Sequence, residues 1–197
     1  MEPEDGVFAV KLARKAIEFW VEHERTLEKP VRFPEDFKTL RGVFTTIHTY
    51  PENSLRGCIG YPYPVLPLIS GIIRSAAEAT QDPRFPPLGR EELDKVIIEL
   101  SILTEPEEIE VKKPEEYLKK IIIGRDGLII KKGLQSGLLL PQVPAEQGWD
   151  VKTFLENLCW KAGMEADEWK SERTEILRFR AEIFAELEPN GEIAAKE

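Results

Sequence analysis

Arg56 and Cys58 are the residues of this chain whose types and spacing point most directly to chemistry. They stand two positions apart in the stretch LRGCIG, residues 55–60. In a β-strand, side chains two positions apart lie on the same face, so a strand here would present the guanidinium and the thiol together. A nearby guanidinium favours the thiolate, the nucleophilic form of cysteine. The pattern predicts that Cys58 is a nucleophile or redox thiol, and that Arg56 activates it or binds an anionic substrate.

The same stretch also has a structural interpretation. Free cysteines are among the most buried residue types and commonly pack as small hydrophobic side chains. Gly57 and Gly60 flank this part of the strand and would leave room for a ligand to approach the backbone. The residues alone leave both interpretations of Cys58 open.

A β-hairpin is predicted to carry this motif. The segments GVFTTIHTY and LRGCIGYPY have the composition of strands, and the four residues PENS between them suit a loop. The register set by this loop places Ile47 opposite Cys58 and Thr49 opposite Arg56. A slip by one residue would change these neighbours but would leave Arg56 and Cys58 on one face. The expected core face carries Phe44, Leu55, Ile59 and Tyr61.

Three further polar residues are predicted to bind a substrate, namely Arg84, Gln142 and Glu146. Arg84 lies in DPRFPP, and the other two lie in PQVPAEQGWD. Prolines restrict the backbone in both segments, and polar groups held in this way at a strand end often line a cleft. Arg84 could instead cap the carbonyl groups of the preceding helix. Asp150, just beyond, is expected to be an ordinary helix N-cap.

The other cysteine and the two histidines do not indicate catalysis or metal binding. Cys159 falls on the apolar face of a predicted helix and is expected to be structural. His48 is expected in a core or edge position facing away from Cys58, which argues against a Cys–His dyad. His23 lies in a charged helical segment. The chain has no HxH, HxxxH or CxxC spacing, so the sequence predicts no metal site and no cofactor.

The apolar patterns predict an α+β fold with two subdomains, each a mainly antiparallel sheet flanked by helices. Charged linkers near Lys112 and Ser171 predict a larger subdomain of residues 1–111 plus 172–197, with 112–171 inserted as a smaller one. The predicted helices are 5–27, 67–80 and 151–163. Beyond the motif hairpin, the predicted strands are 95–104, a second hairpin turning at Asp126-Gly127, 137–143, and one long strand over 174–187.

Composition and charge exclude several classes of function. The formal net charge of −9 disfavours nucleic-acid binding, which depends on basic surfaces that neutralise phosphates. The longest apolar stretch, VLPLISGII, has nine residues, and a membrane-spanning helix needs roughly 18 or more. The first residues lack the pattern of a signal peptide. We therefore expect a cytoplasmic protein without a membrane segment.

Five stretches together resemble one known family. In chain order they are LRGCIG, DPRFPP, GRDGLII, GLLLPQVPAEQGWD and CWKAG, and they resemble the AMMECR domain family from about Gly42 to Glu186. The resemblance implies a two-subdomain α+β fold with a cleft between the lobes, onto which the side chains of LRGCIG face. It implies no particular reaction, because no reaction is established for the family.

Two hypotheses about function follow. In the first, the chain is an enzyme or enzyme component that uses the Cys58/Arg56 pair, with Arg84 and Gln142 orienting an unknown substrate. In the second, the chain is a non-catalytic module that holds a protein, a peptide or a small ligand in the same cleft. Catalysis by this chain alone is slightly weakened, because no second acid–base group is evident near Cys58.

Overall fold

The computed structural model describes residues 1–196, which form an α+β fold with two antiparallel sheets. The α-helices in that range are α1 (Pro3–His23), α2 (Leu68–Ala79), α3 (Tyr117–Lys120), α4 (Gln142–Glu146) and α5 (Val151–Lys161). The strands are β1 (Val43–Thr49), β2 (Leu55–Tyr61), β3 (Val96–Leu103), β4 (Glu107–Glu108), β5 (Gly127–Lys132), β6 (Gln135–Leu139), β7 (Glu175–Phe179), β8 (Ala181–Glu186) and β9 (Ile193–Lys196). The predicted fold class is confirmed.

The chain divides into two compact units. The first unit combines Met1–Leu103 with the segment that starts at Glu182, and the second is Thr104–Ala181. The second unit is therefore an insertion between two strands of the first. The predicted junctions fell after residues 111 and 171, whereas residues 104–111 and 172–181 group with the inserted unit.

The first unit is a five-stranded sheet whose core lies against α1 and α2. The strand order is β2-β1-β3-β8-β9. Alternate side chains of β1, namely Val43, Thr45 and Ile47, are fully buried on the helical side. Apolar residues of α1 recur at helical spacing and are fully buried there too, among them Val10 and Ile17. The edge strand β2, which carries LRGCIG, is thus held on one side by a firm core.

The second unit is a four-stranded sheet packed against α5. Its strand order is β4-β7-β5-β6, and its core joins Leu128 and Ile130 of β5 to Phe154 and Leu158 of α5. The side chain of Asp150 accepts a hydrogen bond from the Thr153 N–H at 2.7 Å. The N-cap predicted for this helix is therefore confirmed.

The hairpin predicted at Asp126-Gly127 is wrong. The strands that pair are β5 and β6, and they turn at Gly133, where φ is +57°. Asp126 is fully buried, and its carboxylate accepts hydrogen bonds from the Ile122 N–H at 2.9 Å and from Arg125. Because this carboxylate bonds to the backbone of its own segment, residues 121–126 close into a loop instead of extending as a strand.

The single long strand predicted over 174–187 is also wrong. The alternation continues through the segment, but β7 belongs to the four-stranded sheet and β8 to the five-stranded one. Arg180 separates them: its N–H donates to the Thr104 hydroxyl at 2.9 Å, and its carbonyl accepts from the Thr104 N–H at 2.8 Å. This residue marks the passage from one sheet to the other.

No helix within residues 1–196 is long and apolar enough to cross a lipid bilayer.

Candidate functional site

Strand β2 contains a β-bulge at Arg56, which changes the predicted register. Ile47 pairs with Gly57 and His48 pairs with Leu55, so Arg56 has no opposite residue. Cys58 consequently lies opposite Thr46, and the predicted pairing with Ile47 is wrong. The predicted faces change as well. Phe44 and Leu55 lie on the face of Cys58, whereas Ile59 and Tyr61 remain on the core face with the buried residues of β1.

Three polar contacts hold Cys58 in place. Its sulfur accepts a hydrogen bond from the Thr46 hydroxyl at 3.3 Å. Its N–H donates to Asp82 Oδ2 at 2.8 Å, and its carbonyl accepts from Arg84 Nη2 at 3.3 Å. Asp82 and Arg84 thus form hydrogen bonds with the backbone N–H and carbonyl groups of Cys58 on the edge of β2 that pairs with no other strand within the described residues. The cysteine itself is only partly buried.

Asp82 and Arg84 form an ion pair next to that edge. Asp82 is 2% exposed, and both of its oxygens accept hydrogen bonds from Arg84, at 2.6–3.0 Å. The Arg84 guanidinium, opposed by desolvation and assisted by the Cys58 N–H, holds the pKa of Asp82 far below its usual range. Asp82 in turn raises the pKa of Arg84, to which the Cys58 side chain adds a smaller effect. Arg84 remains 56% exposed and lies 5.7 Å from the ring centre of Phe85.

Arg56 is engaged by a different carboxylate. Its guanidinium donates to both oxygens of Glu92, at 2.7 and 2.9 Å, and its side chain is 13% exposed. Glu92 also accepts from the Gly89 N–H at 2.8 Å, and the Arg56 guanidinium lowers the pKa of Glu92. Arg56 therefore ties the bulge to the 3₁₀ helix Arg90–Lys95, which contains Glu92. The arginine that contacts Cys58 is Arg84.

The space at the two motif glycines is filled by the protein itself. A Cβ atom placed at Gly57 would lie 2.3 Å from the carbonyl oxygen of Ala79, and one at Gly60 would lie 2.3 Å from the ring of Phe44. The expectation that these glycines leave room for a ligand is wrong. They let α2 and the ring of Phe44 approach the strand closely.

Replacing Gly57 with alanine is expected to destabilise the first unit. The new methyl group meets a backbone carbonyl at the end of α2, which cannot move aside as a side chain would, so the expected loss is about 1–3 kcal/mol. Urea unfolding at pH 7 measures it. Leu55→Ala is the control, because Leu55 lies on the same strand and is 40% exposed; its expected cost is below about 1 kcal/mol. Equal costs for both variants would contradict the close approach at Gly57.

Gln142 and Glu146 belong to the second unit and are described there. They begin and end the short helix α4 and are both exposed. Gln142 therefore starts a helix, whereas the sequence had suggested a strand end. Cys58, Arg56 and Arg84 all belong to the first unit.

The whole chain was compared with known proteins. The family model AMMECR1 matches residues 10–184. This chain belongs to the AMMECR1 family.

Its relatives include archaeal proteins of nearly the same length. Protein MJ0810 of Methanocaldococcus jannaschii is 52% identical over 194 residues, which cover 98% of this chain and 96% of that protein. Protein PH0010 of Pyrococcus horikoshii is 48% identical over 200 residues, covering 100% and 97%. The crystal structure of uncharacterised protein PH0010 matches this chain with a TM-score of 0.84, over 100% of this chain and 98% of the other. The resemblance to the AMMECR family is thereby confirmed.

The histidine nearest to the motif in this AMMECR1-family chain lies on an unexpected face. Thr46 and His48 alternate on β1, so His48 shares the face of Cys58, and the predicted opposite orientation is wrong. Burial lowers the pKa of His48, which favours the neutral imidazole at pH 7. Its Nδ1 atom is buried and makes no hydrogen bond within residues 1–196. The structure records no hydrogen bond between His48 and Cys58 over that range.

Cys159 is fully buried, as expected for a structural thiol, and burial raises its pKa. Over residues 1–196, no group of three or more His, Cys, Asp or Glu side chains is placed to hold a metal ion.

Sequence reasoning missed three residues of this site: Thr46, Asp82 and Glu92. Asp82 carries a usable signal, since an aspartate before proline commonly accepts a hydrogen bond from the N–H two residues on, as it does here from Arg84. Thr46 was hidden by the bulge. Glu92 lies 36 positions from Arg56, and no local pattern pairs them.

Proposed function

We propose that this AMMECR1-family chain is a binding module that recognises a protein or peptide partner at the surface around Cys58 and Arg84. The observation that carries the proposal is that the polar groups near Cys58 are already bonded to one another within the chain. Asp82 and Arg84 bind its backbone, and Arg56 is occupied by Glu92. These contacts give a rigid strand edge, and a preorganised surface binds at lower entropic cost.

The exposed groups at this edge suit a peptide. Arg84 uses Nε and Nη2 on Asp82 and Cys58, while Nη1 forms no hydrogen bond within residues 1–196. A carbonyl or carboxylate of a partner can accept from it. Phe85 lies beside the guanidinium, and Leu55 is 40% exposed on the same strand as Cys58. Arginine and aromatic side chains are the types that most often dominate binding energy at interfaces.

One observation favours a thiol-dependent enzyme component as a second candidate. The sulfur of Cys58 is partly exposed and accepts a hydrogen bond from the Thr46 hydroxyl. His48, with a lowered pKa, lies on the same face. Because no hydrogen bond joins the imidazole to the sulfur in the described part of the chain, proton transfer between them would need a rearrangement when the substrate binds.

The two candidates predict opposite roles for the sulfur. A partner captured by the wild-type protein is identified by mass spectrometry, purified, and titrated against variants by calorimetry. Cys58→Ser is expected to bind within about twofold of wild type, because serine keeps the backbone contacts. Arg84→Gln is expected to bind at least about tenfold more weakly, through loss of a charge-assisted contact.

Arg90→Gln is the matched control, because Arg90 is 77% exposed and pairs with Glu22; it is expected to bind normally. Phe85→Ala provides a second test in case Arg84→Gln unfolds through the uncompensated charge of Asp82. Normal binding by both Arg84→Gln and Phe85→Ala would overturn the proposed surface. Loss of binding in Cys58→Ser alone would favour the thiol-dependent candidate.

A further inference from the structure

The second unit contains a cavity that is separate from the Cys58 site. It has a volume of about 390 Å³ and lies between the segments 108–117 and 169–174. Cavities of about 300–1,000 Å³ are typical of small-molecule sites. Its apolar lining includes Val111, Pro114, Tyr117 and Trp169, so it offers contact area to an apolar or aromatic group.

Two lining residues carry buried polar atoms without partners. Trp169 is 3% exposed and Thr174 is 8% exposed. The indole Nε1 of Trp169 and the hydroxyl of Thr174 make no hydrogen bond within residues 1–196. An unsatisfied buried polar group costs about 1–3 kcal/mol. Both residues line one cavity, so a ligand seated there lies next to the two side chains whose polar atoms lack partners.

The chemistry of these two atoms limits the chemical class of ligand that can bind them. An indole N–H only donates, so its partner must be an acceptor, and a hydroxyl can donate to the same group. Lys170 has its ammonium 5.3 Å from the ring centre of Trp169, and it forms no ion pair within the described residues. A carboxylate matches this set, because it accepts from both donors and attracts the ammonium group of Lys170.

The charges around the cavity argue against a polyanion. Lys112, Lys113 and Lys170 line it together with three glutamates, at positions 108, 110 and 172. The lining therefore has no net charge, and a phosphate chain would meet carboxylates on entry. A ligand with one carboxylate and an apolar body fits this balance, and the glutamates can accept an ammonium group.

We propose that this cavity binds an apolar amino-acid residue that carries a free α-carboxylate, with Trp169 and Thr174 as its hydrogen-bonding residues. The carboxylate accepts from the indole N–H and the threonine hydroxyl, and the side chain packs on Val111, Pro114 and Tyr117. A free amino acid and the C-terminal residue of a peptide both present this chemistry.

Calorimetric titration with four probes tests the ligand. The probes are L-phenylalanine, its N-acetyl derivative, its carboxamide, and the dipeptide Ala-Phe. The acid forms are expected to bind and the carboxamide to bind at least about tenfold more weakly, because it lacks the charged acceptor. Stronger binding of phenylalanine than of its N-acetyl derivative assigns the site to free amino acids, and the reverse assigns it to peptide C-termini. Equal binding of acid and carboxamide, or no binding of any probe, overturns the proposal.

A variant pair separates this role from a structural one. Thr174→Val removes a hydroxyl that makes no hydrogen bond within residues 1–196. The melting temperature of the unliganded protein is therefore expected to stay the same or rise. The affinity for the acid probes is expected to fall on the order of tenfold. Thr45→Val is the control: Thr45 is also buried, at 0% exposed against 8% for Thr174, but it bonds Ser75 at 2.7 Å. It is expected to lower the melting temperature by about 2–4 °C without changing affinity. A Thr174→Val protein that melts lower and binds normally would overturn the proposal.

Discussion

Asp82→Asn is expected to lower the free energy of unfolding by about 2–3 kcal/mol at pH 7, because the buried carboxylate receives several charge-assisted hydrogen bonds. Four reach it, three from Arg84 and one from the Cys58 N–H. An asparagine amide turns one acceptor oxygen into a donor, so at least one of these N–H groups then faces another donor. For a chain of this length the melting temperature should fall by roughly 5–10 °C.

The loss should depend on pH in a defined direction. The pKa of Asp82 in the folded protein lies far below its usual range because of the Arg84 guanidinium. A carboxyl group with a lowered folded pKa stabilises the protein fully above its unfolded pKa of about 3.9, and this contribution disappears as the pH falls toward the folded value. The difference between wild type and Asp82→Asn should therefore be complete at pH 7 and smaller at pH 3.

Denaturant unfolding of both proteins at the two pH values measures this difference. Other carboxylates with lowered pKa values, such as Glu92 and Asp126, contribute equally to both proteins and cancel. Asp36→Asn is the control, since Asp36 is exposed and should cost less than about 0.5 kcal/mol. A pH-independent difference, or a cost no larger than that of Asp36→Asn, would contradict the role assigned to Asp82.

Asp82 also links stability to the proposed function. It is the residue that joins Arg84 to the backbone of Cys58, so its loss should loosen the strand edge and leave Arg84 without its anchor. On the binding-module proposal, Asp82→Asn should therefore weaken partner binding more than Cys58→Ser does. The sulfur contributes one atom to the surface, whereas the Asp82 carboxylate holds both Arg84 and the backbone of Cys58 in place.

The elements that were predicted well are those whose pattern is strong and local. Helices α1, α2 and α5 each carry an apolar stripe at helical spacing, and residues 42–63 have the composition of two strands around a loop. These signals identify an element without reference to the rest of the chain. The resemblance carried by five short stretches extended this to the correct family.

Errors arose where one contact overrides a good local pattern. The bulge at Arg56 adds one residue to β2 and so changes the register, yet residue alternation before and after it looks regular. The alternation over 174–187 continues through Arg180, where both backbone groups bond to Thr104 and the chain changes sheets. The sequence near Arg180 contains no glycine or proline that would signal the break.

The candidate site was predicted only in part, for a related reason. Motif reasoning selects a residue by its type, so it identified Arg56, Cys58 and Arg84 but not the groups that bind them. Whether an arginine faces a thiol or a carboxylate depends on tertiary pairing. Here Arg56 pairs with Glu92, 36 positions along the chain, and that pairing is invisible to any local pattern.

The largest expected effect of a single substitution lies in the core of the first unit, at the buried ion pair of Arg14 and Glu186. The two residues are 5% and 3% exposed. Arg14 donates to both Glu186 oxygens, through Nε at 2.9 Å and through Nη2. Arg14→Leu leaves a buried carboxylate without its cation, and breaking such a pair typically costs about 3–5 kcal/mol.

The surroundings of the pair determine what a double substitution does. Arg14 also donates to the carbonyl groups of Leu93 and Val96, at 2.9 and 2.8 Å, and Glu186 accepts from the Ile98 N–H at 3.0 Å. Arg14→Leu/Glu186→Leu removes both charges, so the uncompensated charge disappears, but these three backbone groups remain unpaired. The double variant should therefore be more stable than Arg14→Leu alone and still less stable than wild type.

Urea unfolding of the two single variants and the double variant completes a thermodynamic cycle for the pair. Arg90→Leu is the matched control, because Arg90 pairs with Glu22 while 77% exposed, and such surface pairs contribute at most about 1 kcal/mol. If Arg14→Leu and Arg90→Leu lowered the free energy of unfolding by similar amounts, the buried pair would contribute no more to stability than a surface pair, which would contradict the prediction. Glu186 lies on β8, the first strand after the inserted unit, and β8 belongs to the same sheet as the Cys58 strand β2. A large loss of stability in Arg14→Leu would therefore mean that α1 holds β8 in that sheet.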